Sequence, residues 1–582
     1  MSIPNATEQF RDFGLNFSTP ASMRPVVFGT TSLGVTNKLA FYSDVQTLKD
    51  ERGEGPAVET VANILANGGG PVGLVSADPT IAAVVGPMYA TFGAVGSNGS
   101  ITRVGAVGPA ITVSGAPNGH FAMKIEVTLG GTLGVSQFRW SLDGGTTWVA
   151  TAVPTAASVL LGGTGITATF PAGTYVLAET YAWTATGGGG KIVASGTPAL
   201  DVRIRVEMML GGALGVAKFR YSLDGYSGDT TSERTYSETL TVPSGGVFAI
   251  PNLGVTLTFT ASPTFAAGDV YVCTVQAATW NATDLDDCFA ELLKRQDDWR
   301  FLVAVTSAGN GDTVALALLG AALNSQLSAF ATRNRYRRGM IAADQGHTAA
   351  EALSSWGSVV APRILAAFGQ VRRATSKPFP GYAFPVTHGI DCVAARAAGS
   401  LPSTDLKRVR SGPLTEVVKL FADEQASPTG LDDIKVTTLR TFDGRPGEVY
   451  VTQGRLKSAS GSDLKGWQYG VLTDIACEAV HRVVVKWIGK GFGFNDDGTL
   501  DESDAVDFDA DVDVELDAVL GSATNAEGKR GHVQSVKYRV SRTEKSGRTG
   551  AIVGSLSMKP FNYVDSVRSD VGFVVANPTP VA

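Results

Sequence analysis

Cysteine is scarce in this chain: four residues in 582 (Cys273, Cys288, Cys392 and Cys477), with no CxxC or CxC spacing. That argues against a disulfide framework and a zinc knuckle, and it suits folding in a reducing cytoplasm. Five histidines (His120, His347, His388, His481 and His532) are scattered, and none lies in an HExxH motif. A GxSxG elbow, a P-loop, and a GxGxxG followed by an acidic residue are absent too. Gly489, Gly491 and Gly493 follow a helical pattern rather than a strand, so they read as a helix stop and not as a phosphate cradle. No catalytic residue, cofactor site or metal site is therefore expected, and the chain reads as non-enzymatic. No apolar run approaches the roughly 20 residues that span a bilayer. The stretch Met1–Phe17 has neither the basic nor the apolar segment of a signal peptide. With a formal net charge of −6 there is no basic excess with which to hold nucleic acid.

What is abundant is glycine, at 69 residues, and repetition. Residues 129–144 read LGGTLGVSQFRWSLDG and residues 210–225 read LGGALGVAKFRYSLDG, identical at twelve of sixteen positions with an offset of 81. Such self-similarity marks a tandem pair of modules and must be interpreted first. Alternating runs such as Phe121, Ile125, Val127 and Leu129, then Phe138–Leu142 before Asp143-Gly144-Gly145, predict short strands joined by tight turns. The expectation is two immunoglobulin-like β-sandwich repeats, at 108–190 and 191–281, with Gly187–Gly190 as a hinge between them. The aromatics of the repeats (Trp140, Trp148, Tyr175, Tyr181 and Trp183 against Tyr221, Tyr226, Tyr236 and Tyr271) read as core more readily than as a glycan platform.

The flanks differ in character. Val26-Val27-Phe28-Gly29, a helix from Pro56, and Pro71–Val75 give strand, helix, strand. After Trp280, an amphipathic helix at 284–295, a buried strand at 301–305, a helix at 313–333, a strand at 340–343 and the stretch 349–368 predict a three-layer α/β unit with a mainly parallel sheet. Leu464–Ile488 carries a strong helical stripe. Val533–Val540 and Ile552–Met558 form a hairpin, and Val571–Val575 is a closing strand. The overall expectation is α/β and all-β multidomain: 1–107, 282–440 and 441–582 form an α/β body into which the two repeats are inserted.

Eleven carboxylates fall between Asp496 and Asp517. Val506–Asp517 alternates strictly, which predicts a strand with Asp507, Asp509, Asp511 and Asp513 on one face. That face is either solvated or set against a basic patch of a neighbouring copy, at Arg335, Arg337 and Arg338 or at Lys407–Arg410. Calcium is a third reading, but the glycine turn of an EF-hand loop is missing.

The flanks resemble contractile bacteriophage tail sheath proteins of the myovirus type. The likeness lies in Val26–Gly29, Gly34, Phe41–Val45, Gly53, the 56–67 helix with its following glycines, the Phe384–Gly389 and Ala394–Arg396 segment, and the order of elements from Leu464 to Val575. The resemblance implies a structural subunit that polymerises as a helical tube of stacked rings around a tail tube. It would contract to drive that tube through the host envelope. The implied partners are other copies of itself, the tail tube protein, and baseplate and tail terminator proteins, with no nucleic acid and no membrane insertion. The implied location is the virion, with assembly in the host cytoplasm. Inter-subunit strand arms are expected at Val26, Val27 and Phe28 and at Val571, Phe573, Val574 and Val575. The repeats depart from a minimal sheath. A baseplate or adhesin protein that binds host glycans through them is the alternative, and a polysaccharide-active enzyme with two accessory modules is the third reading.

Overall fold

The computed structural model describes residues 23–561, apart from 68–69, 106–107, 224–235, 262–263, 296, 307–312, 344–347, 374–385, 416, 523–524, 526–527 and 547–551. Every residue of the first strand, Pro25–Gly29 (β1), is buried, as expected where a sheet is covered on both faces. Strand Leu39–Tyr42 (β2) and helix Val45–Arg52 (α1) follow. Asp44 starts α1 by accepting from the backbone N–H groups of Gln46 and Thr47. Helix Pro56–Ala66 (α2) opens with proline behind Gly55, whose φ is 148°. A Cβ at Gly55 would meet the Thr30 carbonyl oxygen at 2.5 Å, so the turn into α2 requires glycine. Strand Val72–Ser76 (β3) then pairs parallel with β1.

The chain leaves this layer after β3 and returns through helix Ala282–Lys294 (α3), which is started by a capping box of Asn281 and Asp284. Strand Phe301–Ala304, helix Thr313–Ala331 (α4), strand Arg338–Ala342, helix Ala349–Trp356 (α5) and strand Ile364–Ala367 follow. Six strands form one sheet in the order β2, β3, β1, 301–304, 338–342, 364–367; all are parallel except β2. Val26 lies opposite Leu302 and Val27 opposite Val303, so the two flanks join in one sheet. Val27, Val303, Met340 and Leu365 face helices α2, Gly389–Ala398 (α6) and Trp467–Trp487 (α7), and Glu502–Leu516 (α8) packs on the far side of α7 and extends the same core. Val26, Phe28, Leu302 and Ile341 face α3, α4 and α5. The result is the expected three layers.

The acidic run is not a strand. It is α8, followed by a wide turn at Asp517–Gly521. Ala505, Phe508, Asp509, Val512 and Leu516 are buried, a helical spacing that coexists with the period-two pattern because Val506 and Val514 are exposed. Tertiary packing chose between two periodicities that the same apolar residues allow. Asp501 caps the helix, and Glu502 and Asp504 sit in its first turn, where carboxylates are favoured. The hairpin Val533–Val540 with Gly554–Pro560 forms antiparallel, as expected.

Between β3 and α3 lie two modules, each built around two main sheets. In the first, Ala150–Pro154, Gln137–Ser141, Phe121–Leu129 and Thr180–Thr186 lie side by side, opposed by a sheet of Ser158–Leu160, Thr167–Thr169 and Thr112–Ser114. In the second, Leu240–Thr241, Lys218–Ser222, Val202–Leu210 and Val270–Gln276 face Lys191–Gly196, Val255–Thr260 and Val247–Ile250. Phe121, Met123, Ile125 and Val127 point inward while Ala122, Lys124 and Glu126 point outward. Trp140, Tyr175, Tyr181, Trp183, Tyr221 and Tyr271 are core, as expected; Trp148 and Tyr236 are part-exposed.

Two expectations about the modules change. Residues before 108 belong to them: Val84–Val85 and Tyr89–Thr91 pair with Val270–Gln276 of the second module, and Ser97–Asn98 and Thr102–Val104 pair with Thr180–Thr186 of the first. The outgoing chain thus adds an edge strand to both modules before either is built. Ile81 and Thr279 exchange backbone hydrogen bonds of 3.0 and 2.9 Å where the insertion begins and ends. Gly187–Gly190 is a packed joint rather than a hinge. A Cβ at Gly187 or Gly189 would overlap Phe92, at Gly188 the backbone of Ala94, and at Gly190 the ring of Phe265.

Candidate functional site

The sites expected from sequence were strand arms and two charged surfaces. Val26, Val27 and Phe28 are fully buried in β1, between β3 and Phe301–Ala304, so they are the middle of a sheet and not an arm. Val571, Phe573, Val574 and Val575 lie outside the described residues.

The acidic residues of α8 hold their own chain. Asp509 is buried and accepts from the Val540 N–H at 2.8 Å, with Arg542 at 2.9 Å on its other oxygen. Asp513, one turn on, accepts from the Tyr538 N–H at 3.0 Å and pairs with Arg539 at 2.8 Å. Residues 538 and 540 present alternate N–H groups of one strand, so two carboxylates a helical turn apart cover the edge of Val533–Val540 that Gly554–Pro560 leaves open. Asp511 accepts from the Trp487 indole at 2.8 Å, and Asp507 is exposed.

The basic group is engaged within the chain too. Arg335 donates to the carbonyls of Leu293 and Arg295 at 3.0 and 2.7 Å, at the end of α3. Arg337 pairs with Glu478, and its guanidinium lies 5.2 Å from the Trp299 ring centroid. Arg338 grips Asp474 through Nε at 2.8 Å and Nη2 at 3.1 Å. Both carboxylates are on α7, four residues apart, and two further arginines join them: Arg300 to Glu478 at 2.9 Å and Arg363 to Asp474 at 3.3 Å.

This cluster was not expected. Arg300, Arg338 and Arg363 stand at the start of three adjacent parallel strands, and α7 crosses those strand ends with its i, i+4 acids. The signal was present as two carboxylates beside the buried Ile475 and Ala479 of an otherwise apolar stripe, and as arginines directly before apolar strands. Burial lowers the pKa of Arg337 and Arg338, and the attraction of Glu478 and Asp474 opposes that shift. Removing one partner of such a pair leaves an uncompensated buried charge, which costs several kcal/mol (about 3–5). Chemically, the arrangement is a clamp between the C-terminal third and the sheet. No group of His, Cys, Asp and Glu suited to a metal occurs among the described residues. Cys288 is buried and its thiol is pushed up; the Cys273 thiol is pushed up to about 12 by burial.

No protein-family model and no curated protein matches the sequence. Solved structures do. A sheath tail protein from Listeria innocua aligns over 93% of this chain and 92% of its own, with 10% identity and a TM-score of 0.40. One from Desulfitobacterium hafniense aligns over 93% and 97%, with 10% identity and a TM-score of 0.36. The sheath complex of an extracellular contractile injection system, in its contracted state, aligns over 51% of this chain and 75% of its own, at 9% identity and a TM-score of 0.35.

Proposed function

We propose that this chain is the structural subunit of a contractile phage tail sheath, polymerising as a helical tube around a tail tube and contracting to drive it through a host envelope. The observation that carries the reading is the closure of residues 25–76 and 301–367 into one mainly parallel sheet, with the C-terminal third clamped to it and the repeats leaving and re-joining at Ile81 and Thr279. That is the single body with an inserted decoration that the resemblance of the flanks implies. The role needs no active site. It needs a rigid body and segments that join neighbours.

The two terminal stretches are the natural joining segments. Alternating Val571, Phe573 and Val575 suit insertion at the edge of a neighbour's sheet, where main-chain hydrogen bonds of about 0.5–1.5 kcal/mol each accumulate. Partners on this reading are further copies of the chain, the tail tube, and baseplate and terminator proteins. The location is the virion, after assembly in the host cytoplasm, and the two modules keep an immunoglobulin-like role as outer decoration. Negative-stain microscopy tests the reading. The full chain should form hollow tubes, and deletion of 567–582 or of 2–20 should leave a folded monomer with unchanged circular dichroism and no tubes. If both truncated chains still form tubes, the arm mechanism is wrong; if the full chain forms none, the sheath role is.

A further inference from the structure

The joint between the two modules forms a solvent-open cavity of about 340 Å³, a size found in small-molecule sites, which favour domain boundaries. Met88 and Phe92 give it an apolar wall, backed by the buried Phe121 and Tyr271, while His120 from the first module and Lys191 from the second supply polar groups. Neither module makes the cavity alone. Its shape is held in advance: the Phe92 ring stands edge-on to His120 at 6.0 Å and to Tyr271 at 5.6 Å. The Tyr271 hydroxyl donates to the Gly190 carbonyl at 2.7 Å, and Gly187 and Gly189 close against Phe92. A pocket that does not have to form on binding loses less affinity to ordering.

The polar groups are specific. His120 Nε2 lies 2.8 Å from the Gly189 carbonyl oxygen, which only accepts, so Nε2 carries the proton and Nδ1 is an acceptor in the neutral ring. Burial lowers the pKa of His120, and the Lys191 ammonium acts in the same direction. Lys191 has no ion-pair partner among the described residues. Asp143, the other charged group of the lining, is already occupied by the Ser141 hydroxyl at 2.6 Å and by the N–H and hydroxyl of Thr147 at 2.9 and 2.7 Å.

We propose that this inter-module cavity binds one acidic pyranose, its apolar ring face on Phe92 and Met88, a hydroxyl donating to His120 Nδ1, and its carboxylate on the Lys191 ammonium. A neutral lipid would leave Lys191 and His120 unused, and a neutral sugar would leave the cation unpaired. The inference stands apart from the sheath reading, since it concerns the insertion alone.

Calorimetric titration of the full chain tests it, with methyl glucuronoside, methyl glucoside, a glucuronate-terminated tetrasaccharide and inorganic polyphosphate as probes. The glucuronoside should bind at least about tenfold more tightly than the glucoside. Lys191→Met should abolish that preference, and Lys218→Met, on a strand outside the cavity, should preserve it. Tetrasaccharide binding at least as tight as that of the monosaccharide supports the site with a polysaccharide end as ligand; weaker binding supports it with the free sugar. Equal affinity for acidic and neutral sugars, no binding of either to the folded chain, loss of the preference in Lys218→Met, or polyphosphate binding as tightly as the glucuronoside would each overturn the proposal.

Discussion

The central sheet and the inserted sheets solve the same problem in opposite ways. In β1, β3, Phe301–Ala304 and Arg338–Ala342 every residue is buried, so both faces must be covered by helices from distant parts of the chain. In Phe121–Leu129 and Val202–Leu210 burial largely alternates, and each module covers its one apolar face with its own second sheet. Charges are buried in both regions, Glu179 with Arg103 in the first module and Arg338 with Asp474 in the body. The Arg338–Asp474 pair of the body is fully buried, and the Glu126–Arg139 pair of the first module lies on an outer face, with the Arg139 guanidinium 4.0 Å from the Trp148 ring centroid. The body therefore needs helices from several parts of the chain to cover its sheet, whereas each module closes its core with its own strands and the outgoing strands that join it.

The sharpest way to break that comparison is to cut the insertion out. Replacing 82–278 with a short Gly/Ser linker joins two positions that already exchange hydrogen bonds, and the remaining body should be soluble with one cooperative unfolding transition. Cutting at 108–281 instead strips Val84–Val104 of its sheet partners, and that product should aggregate in size-exclusion chromatography. Identical behaviour of the two deletions would show that the outgoing strands are not part of the modules.

Single charges should separate the regions next. Asp474→Ala strands Arg338 and Arg363 and should cost about 3–5 kcal/mol in urea unfolding of the body. Glu126→Ala should cost at most about 1 kcal/mol, because its pair is part-exposed. A smaller loss at Asp474 than at Glu126 would reverse the contrast. Within the body, Asp509→Ala leaves the Val540 N–H without its acceptor and should cost about 1–3 kcal/mol, read by the same unfolding curves, with faster amide exchange at Val540.

A further contrast concerns pH. Lys457 is buried, donates to the carbonyls of Trp356 and Ile434 at 2.8 and 2.6 Å, and is held at about 8 by burial, with Lys435 adding to the shift, against an ordinary 10.5. The folded state thus releases this proton before the unfolded chain does, so stability from this group rises as pH goes from about 8 to about 10.5. The neutral amine still has two N–H groups for both carbonyls. The stability of the natural chain relative to Lys457→Met should therefore rise between pH 8 and pH 10 in thermal unfolding. A constant difference would place the Lys457 pKa near its ordinary value.

Much of this architecture was legible in the sequence where one periodicity had no rival. The offset of 81, the α7 stripe, the 533–558 hairpin and the strand–helix alternation after Trp280 each depend on local pattern, and local pattern survives folding. The acidic run shows the limit. Val506–Asp517 satisfies a period of two, and Ala505, Phe508, Val512 and Leu516 satisfy a period of 3.6. Only the presence of α7 and the open edge of Val533–Val540 decided for the helix. The clamp of Arg300, Arg337, Arg338 and Arg363 on Asp474 and Glu478 spans separations of 111 to 178 residues. The cavity at the module joint likewise brings Met88 and His120 to Lys191 and Tyr271. The sequence by itself determined which segments could be strands and helices, and that two of them were copies. Which strand edges met, which charges were buried together and where the insertion began were decided by tertiary structure alone, because those contacts join residues whose nearness no local period encodes.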